Sequence, residues 1–475
     1  MYKTNPYLKL MAISLPLISG LTMGATALGG AEEVTRFHQM VSDVSAKNIE
    51  QNIRTLAGFG TRHTLSDTKS DTRGIGAARR WIEAEFNRYN ENCKNKLEVY
   101  TISETFTGRR IPKPTEVVNV IAVQRGKLDP KRVVMMSGDI DSRITDPLNG
   151  TDDSPGANDN ASGMAGTMEA ARTLCNYDFA GTIVYAGLSG EEQGLYGGKT
   201  LASHAAKQGW RVMGIINNDM ISNTKGINGV ENNTTARVFS EGTRVTETAD
   251  EARRRRFLGG EVDSPSRNIA RLVDRLADDY IPNLDVMMIY RLDRFGRGGH
   301  HRPFNEAGYP GVRIMETNEH YDRQHQDIRN ENGRHYGDTV DYVDFDYAAK
   351  LTSLNVVTLA SMAGAPPFPA DVTISGAVQP STTIKWTVRS DQDDSIKTDN
   401  LKGFRIYWRY TTDAQWRYSR FVPANTREWT LKNVVIDNYF FGVASVAKDG
   451  SESPVVFPFV MGAFEKPFPK KEKAD

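Results

Sequence analysis

The chain has 475 residues, which is too long for one ordinary hydrophobic core and indicates two or three domains. Hydrophobic residues make up 39% and charged residues 25%, as is normal for a soluble globular protein, and the formal net charge is zero. A neutral chain has no bulk electrostatic attraction to nucleic acid or to an anionic membrane surface, so neither is expected as a partner.

The first thirty residues differ from the rest of the chain. Lys3 and Lys9 precede an apolar run over residues 10–28, and small residues follow it. This pattern is typical of a secretory signal peptide over residues 1–30, with a membrane anchor as the alternative. No other segment approaches about 18 consecutive apolar residues. We therefore expect a secreted or periplasmic protein that does not associate with the membrane once the leader is removed.

Residues 31–365 alternate between helix and strand patterns. Apolar side chains recur at helical spacing over residues 74–89, and further helices are predicted at 162–174 and 196–208. Short β-branched runs predict strands at 117–123, 133–137, 182–188 and 212–217. This order predicts an α/β fold with a mostly parallel twisted sheet and helices on both of its faces.

Two further segments have a different composition. Residues 225–263 are polar and end in an arginine run, which indicates a solvated loop or surface helix rather than a binding patch for acidic ligands. Residues 366–465 carry only strand patterns and predict an all-β sandwich that resembles a fibronectin type III module. A basic tail over residues 466–475 is expected to be disordered.

The cysteine count limits the kind of metal site that is available. Export would permit a disulfide between Cys93 and Cys175, and two free buried thiols are the alternative. Two cysteines are too few for a thiolate zinc cluster. Any metal must therefore be held by carboxylates and imidazoles.

Acidic residues follow the predicted strands at the points where those strands end. Because the carboxyl ends of parallel strands meet at one edge of a sheet, these side chains should converge on one crevice. Unpaired carboxylates in a cleft repel one another, and one or two divalent cations would relieve that repulsion. The acids concerned are Asp139, Asp141, Asp159, Glu191, Glu192 and Asp219.

The stretches GDIDS, GANDNASG, SGEEQGLYGGK and NNDM carry these acids in order. Together with FGTRHTLSDTKSDTRGIGAARRWIEAEF upstream and RPFNEAGYPGVRI downstream, they resemble the bacterial secreted di-zinc aminopeptidases. That family is related to leucine aminopeptidase and glutamate carboxypeptidase, and the likeness covers residues 51–363. It implies the zinc exopeptidase fold, peptide substrates and two divalent metal ions, with zinc expected.

The resemblance also implies a role for each matching residue. Asp159 would bridge both metals, Glu192 would bind the first metal and Asp219 the second. Glu191 would act as general base on the attacking water, and Asp141 would orient the ligand at position 139. Two adjacent glutamates at a strand end can take the roles of metal ligand and general base, because one carboxylate can bind the metal while the other faces the water.

The first metal also needs an imidazole from late in the chain. His320, His325 and His335 are the candidates within residues 316–344. His325 resembles the ligand of relatives with a long polar insert, and it is preferred over His335.

Position 139 departs from the family pattern, which places histidine where this chain has Asp139. Asp139 could remain a ligand, in which case an all-oxygen second site would hold its ion more weakly or accept Mn or Mg. Alternatively, the chain could be a catalytically impaired peptide-binding homologue. His300 is a related departure, since the family often has an acid there. A carboxypeptidase or dipeptidase is a further alternative, because Arg291, Arg294, Arg297 and Arg302 could bind a substrate carboxylate.

Overall fold

The computed structural model describes residues 31–391 and 393–465. The predicted signal peptide and basic tail lie outside these residues. Within them, no helix is both long enough and apolar enough to cross a membrane.

The helices in chain order are α1 (Ala31–Ser42), α2 (Ala46–Gly58), α3 (Gly74–Asn92), α4 (Gly163–Leu174), α5 (Glu191–Gly194), α6 (Tyr196–Lys207), α7 (Ala249–Leu258), α8 (Pro265–Tyr280), α9 (His301–Glu306), α10 (Phe345–Gly364) and α11 (Phe459–Gly462). The strands are β1 (Leu97–Gly108), β2 (Ile111–Gln124), β3 (Asp129–Asp139), β4 (Gly181–Leu188), β5 (Arg211–Asn218), β6 (Thr235–Ser240), β7 (Asp285–Ile289), β8 (Gly311–Glu316), β9 (Arg329–Glu331), β10 (Arg334–Tyr336), β11 (Pro369–Ser375), β12 (Thr382–Val388), β13 (Leu401–Tyr410), β14 (Tyr418–Pro423), β15 (Glu428–Leu431) and β16 (Tyr439–Ala447).

One eight-stranded sheet forms the centre of the first domain, in the order β1-β2-β4-β3-β5-β8-β6-β7. The central strands β4, β3, β5 and β8 pair in parallel, and β6 pairs in parallel with β7. The β1–β2, β2–β4 and β6–β8 pairs are antiparallel. The predicted α/β class is confirmed, and the sheet is mixed because its flanks run antiparallel.

Side chains alternate between the two faces of this sheet. Val134 and Met136 of β3 pack into the larger core, which also holds buried residues of α3, α4 and α10. Val133 and Met135 pack on the opposite face with residues of α6 and α9. The strand period of two therefore places apolar side chains on both faces, and helices cover both of them.

The polar segment 225–263 contains more structure than the sequence predicts. The surface helix is confirmed, since α7 has no buried residue and begins with a capping box at Thr248 and Glu251. The strand β6 is missed. Its sequence, TARVFS, is short and mixed in polarity, and only its pairing with β8 and β7 fixes it as a strand.

The C-terminal region is all-β apart from short helical turns. It forms two three-stranded antiparallel sheets, β11-β12-β15 and β14-β13-β16, which begin five residues after α10 ends at Gly364. The fibronectin type III assignment stays a prediction. A buried ion cluster joins the two regions, in which Asp263 accepts hydrogen bonds from Arg271 (3.0 Å) and Arg409 (2.8 Å).

Cys93 and Cys175, both in the first domain, are buried and free. The alternative of two free buried thiols is therefore the one that the structure has.

Candidate metal centre

The predicted acids do converge at the carboxyl edge of the central strands. Asp139 is the last residue of β3, and Asp219 follows the last residue of β5. Asp159 lies in the turn Ala157–Ser162 ahead of α4, and the Asp159–Asn160 peptide bond is cis. After β4, Gly190 adopts a φ of 72°, which glycine reaches without strain, and this turn opens α5 with Glu191 and Glu192.

Three side chains form a compact group at this edge. Nε2 of His325 lies 2.9 Å from Oδ2 of Asp159 and 2.8 Å from Oε1 of Glu192. One ligand atom from each of the three residues falls within 4.8 Å of the other two. His335 lies elsewhere, on β10, where its Nδ1 is 3.0 Å from Oδ1 of Asn330. The fold therefore brings His325, and not His335, to the carboxylates.

The charges of these three groups depend on one another. Burial lowers the pKa of His325, but Glu192 and Asp159 outweigh it and raise the value to about 9. Burial raises the pKa of both carboxyls, but the imidazole outweighs it and lowers each of them. Two buried carboxylates therefore surround the Nε2 side of one imidazole, which is the arrangement of a cation site.

Arg143 orients two members of this group. Its Nε donates to Oε2 of Glu192 at 2.7 Å, and its Nη2 lies 2.7 Å from Nδ1 of His325. His325 itself has a φ of 57°, a backbone conformation that is costly for a non-glycine residue. Sequence reasoning missed Arg143, because it lies outside the acidic motifs.

Asp141 accepts hydrogen bonds from the backbone of both Glu191 and Glu192. Its Oδ1 accepts from the backbone N–H of Glu191 at 3.2 Å, and its Oδ2 accepts from that of Glu192 at 3.1 Å. The sequence analysis expects Asp141 to orient residue 139, but these hydrogen bonds go to the start of α5. Burial, followed by repulsion from Glu192, raises the pKa of Asp141 to about 6.

Glu191 is the first residue of α5, directly before Glu192 and beside the three-residue group. Burial of its carboxyl, and then the charges of Glu192 and Asp219, raise its pKa well above the usual value. A carboxyl with a raised pKa is closer to the range that suits proton transfer near neutral pH.

Asp139 has other partners. Its Oδ2 accepts from Nδ2 of Asn160 at 2.6 Å, and its Oδ1 lies 3.5 Å from Nε2 of His300. Nδ1 of His300 accepts from the backbone N–H of Gly198 at 3.1 Å, which leaves any ring proton on Nε2, facing Asp139. Burial lowers the pKa of His300 to about 3, so this imidazole is neutral.

Asp219 is paired with an arginine that the sequence analysis did not consider. Nη2 of Arg313 lies 2.9 Å from Oδ2 of Asp219, and Nη1 donates to Oδ1 of Asp293 at 3.1 Å. Arg313 is on β8, opposite Asn217 of β5, and its side chain is fully buried. Strand pairing therefore places this guanidinium at the end of β5, where Asp219 lies.

The site fits one zinc ion. Zinc lies about 2.0–2.2 Å from oxygen and nitrogen ligands, so its ligand atoms must come within about 4.4 Å of one another. In Asp159, Glu192 and His325, one ligand atom of each lies within 4.8 Å of the other two, a few tenths of an ångström beyond this limit, and carboxylate and imidazole groups are both zinc ligands.

The expected second set of Asp139, Asp159 and Asp219 does not fit as well. Oδ1 of Asp139 and Oδ1 of Asp219 are buried and lack hydrogen-bond partners in the described chain, which by itself would suit an ion. However, the three-residue group above is the one such group found in residues 31–391 and 393–465. The Arg313 guanidinium also pairs with Oδ2 of Asp219 at 2.9 Å, so this carboxylate already has a cation as its partner.

A cavity of about 470 Å³ opens onto this edge. Glu191, Asp219 and His325 contribute to its wall. Six arginines also line it: Arg109, Arg110, Arg143, Arg294, Arg297 and Arg302. Three of the four arginines that the sequence analysis considered for a substrate carboxylate are therefore present, and Arg291 is not.

The chain is similar to known zinc metalloproteases. The model of peptidase family M28 matches residues 119–345. A protein of Leptosphaeria maculans named "probable zinc metalloprotease" is 43% identical over 422 residues, which cover 88% of this chain and 96% of that protein. One from Pyrenophora teres with the same description is 41% identical over 425 residues, covering 88% and 86%. Both relatives are fungal, whereas the motifs resemble a bacterial family.

Among solved structures, the LapA aminopeptidase of Legionella pneumophila superposes with a TM-score of 0.51. It is 19% identical, and the match covers 75% of this chain and 80% of that one. At this identity the likeness establishes the fold alone.

Proposed function

The chain belongs to peptidase family M28 as a zinc metallopeptidase, and on that basis we propose that it is an exopeptidase that removes residues from the amino terminus of peptides. The observation that carries this proposal is the group of Asp159, Glu192 and His325 beside a cavity of about 470 Å³, with Glu191 at its side. A cavity of this size holds the end of a peptide rather than a folded protein.

In this proposal, Asp159, Glu192 and His325 hold the zinc ion. The ion would supply Lewis-acid polarisation of the scissile carbonyl and of an attacking water. Glu191 accepts a proton from that water on a carboxylate oxygen and passes it to the nitrogen of the leaving amine as the C–N bond breaks. Asp141 holds the backbone of Glu191 and so fixes the direction from which this carboxylate approaches the substrate.

The carboxylates of the cavity favour an amino-terminal specificity. Glu191 and Asp219 line the cavity in addition to the proposed metal ligands. Oδ1 of Asp219 has no hydrogen-bond partner within the described residues, so an α-ammonium group on the substrate can donate to it, whereas a substrate carboxylate would be repelled.

A carboxypeptidase is the second candidate, and the arginines favour it. Arg109 and Arg297 line the cavity and are exposed, and their guanidinium groups have no hydrogen bond or ion pair within the described part of the chain. Free guanidinium groups can bind a carboxylate in a bidentate manner. The same arginines would equally serve an aminopeptidase that prefers acidic side chains.

Peptides with one blocked end separate these functions. We expect the zinc-loaded protein to cleave peptides with a free amino terminus and an amidated carboxyl terminus, and to leave N-acetylated peptides intact. The reverse result would establish a carboxypeptidase. The control is Glu191→Gln, which should retain zinc but lose activity by about 10²–10⁴-fold. Absence of cleavage in all peptides, with parent and variant alike, would reject the exopeptidase proposal and leave the peptide-binding homologue.

Export is also part of the proposal. The leader pattern of residues 1–30 supports a secreted or periplasmic enzyme acting on external peptides. Amino-terminal sequencing of protein recovered outside producing cells tests it, and a chain that still begins at Met1 would reject it.

A further inference from the structure

We propose that this centre binds a single divalent ion, and that the guanidinium of Arg313 replaces a second ion at Asp219. The inference rests on the proposed zinc site of Asp159, Glu192 and His325, and it departs from the two-ion expectation of the sequence. It identifies Arg313 as a positioning residue that acts through Asp219.

The first support is the fixed position of Arg313. Its Nη2 pairs with Oδ2 of Asp219 at 2.9 Å, and its Nη1 donates to Oδ1 of Asp293 at 3.1 Å. Nη1 also donates to the carbonyl of Gly298 at 2.9 Å, and the side chain is fully buried. An arginine keeps its charge even when buried, so a permanent cation is built into the wall of the site.

The second support is the absence of an imidazole for another ion. The family pattern expects histidine at position 139, and this chain has the shorter Asp139, whose oxygens lie one bond closer to the backbone than Nε2 of a histidine would. Oδ2 of Asp139 is occupied by Asn160 at 2.6 Å. Nδ1 of the nearby His300 accepts from the backbone N–H of Gly198, and its Nε2 lies 3.5 Å from Oδ1 of Asp139.

The third support is that the ligand atoms expected for a second ion, those of Asp139, Asp159 and Asp219, do not form a compact group. Asp159 contributes to a compact group with Glu192 and His325, and no second group of three histidine, cysteine or acidic side chains comes together in the described ranges. In this arrangement Asp159 serves one ion and does not bridge two. Asp219 is charge-balanced by Arg313 instead of by a metal.

The measurement is the number of zinc ions bound per chain. The full-length protein, without its leader, is equilibrated with excess free zinc, freed of loosely held metal by gel filtration, and analysed by elemental mass spectrometry against protein concentration. We expect one ion per chain in the parent protein. Two ions that both survive gel filtration would overturn the inference and leave the proposed function intact. No ion would reject the proposed zinc site and the inference with it.

A pair of variants tests the role of Arg313. Asp139→His combined with Arg313→Met restores the longer ligand and removes the built-in cation, and it should bind two ions. Arg302→Met is the matched control, because it removes an arginine from the same cavity without touching Asp219, and it should still bind one. If the folded double variant also binds one, Arg313 is not the reason for the missing ion. Thermal unfolding checks that each variant is folded, and the count on the parent protein needs no variant.

Discussion

Arg143 donates a hydrogen bond from Nη2 to Nδ1 of His325 over 2.7 Å. A guanidinium carries donors only, so Nδ1 is the acceptor in this hydrogen bond and the ring proton lies on Nε2, which faces Asp159 and Glu192. Zinc at Nε2 would displace that proton, and Nδ1 could then no longer accept from Arg143 once it carries the ring proton. The same arginine holds Glu192 through Nε. Arg143 therefore orients the carboxylate ligand Glu192, and without a metal it also holds the imidazole of His325 in the tautomer with the proton on Nε2.

Replacing Arg143 should weaken zinc binding. Residues that orient metal ligands typically contribute about 10–100-fold to metal affinity, and we expect a loss in that range for Arg143→Ala. Arg143→Lys retains the charge but offers Glu192 a single, more flexible donor, so its affinity should lie between those of the parent and the alanine variant. The check is a competition titration with a chromophoric chelator. Equal affinity in all three proteins would show that Arg143 does not orient the ligands.

His325→Ala should abolish zinc binding, and His335→Ala should not. The reason is that His325 lies 2.8 Å from Glu192, whereas His335 is bonded to Asn330 on the β9–β10 hairpin. A ligand present at a thousand times its dissociation constant stabilises the folded state by about 4 kcal/mol. Zinc should therefore raise the melting temperature of the parent and of His335→Ala, but not that of His325→Ala. The opposite pattern would assign the ligand to His335.

Substrates with an acidic residue near the cleaved bond should be preferred. The reason is that the guanidinium groups of Arg109 and Arg297 line the cavity and have no hydrogen-bond or ion-pair partner in the described chain. A hydrogen bond to a charged group contributes about 1.5–3 kcal/mol, and exposure to solvent lowers this contribution. We therefore expect the double variant Arg109→Gln/Arg297→Gln to have a KM roughly tenfold higher than the parent for an acidic peptide. The matched measurement uses a peptide with glutamine in place of the glutamate, whose KM should not change. An equal increase in KM for both peptides would mean that the arginines do not recognise the negative charge of the substrate.

Asp263→Asn should destabilise the whole chain. Asp263 is fully buried and is the shared counter-ion of Arg271 in α8 and Arg409 in β13. Breaking a buried ion pair costs about 3–5 kcal/mol, because it leaves buried charge uncompensated. Glu428→Gln is the control, since it breaks the exposed pair with Lys385 and should cost less than about 1 kcal/mol. Equal melting temperatures for the two variants would show that the ion cluster does not hold the two regions together.

Glu241 should make stability depend on pH. Burial raises its pKa to about 7, against hydrogen bonding from Asn305 and the charge of Arg244, which lower it. In the unfolded chain this carboxyl has a pKa near 4.5. The folded state therefore binds more protons between these values, so the stability that this group contributes below pH 4.5 is lost as the pH rises through 7.

Glu241→Gln should remove that dependence. One pKa unit corresponds to about 1.4 kcal/mol, so the variant should be more stable than the parent at pH 8 by on the order of 3 kcal/mol, and equal to it near pH 4.5. The glutamine oxygen can still accept from Asn305, as Oε1 of Glu241 does at 3.0 Å. Urea unfolding of both proteins at the two pH values measures this. A constant difference across pH would show that Glu241 does not titrate in this range.

Much of the fold and most of the acidic cluster could be predicted from the sequence. The strands β3, β4 and β5 are short apolar runs, and Asp139, Glu191, Glu192 and Asp219 follow or end them directly. Both signals are local, since strand period and motif spacing depend only on neighbouring residues. The strand β6 was not predictable in this way, because its identity comes from pairing with β8 across 70 or more residues.

The sequence by itself therefore determined the fold class, the family and the carboxylates that supply the proposed zinc site. Only the tertiary structure decided between His325 and His335, gave Asp141 its partners at the start of α5, and placed Arg143 and Arg313 against Glu192 and Asp219. These arginines come from β8 and from the loop after β3, outside the acidic motifs. Charge pairing between distant segments has no local sequence signal, since it arises only when strand order brings their side chains to one edge of the sheet.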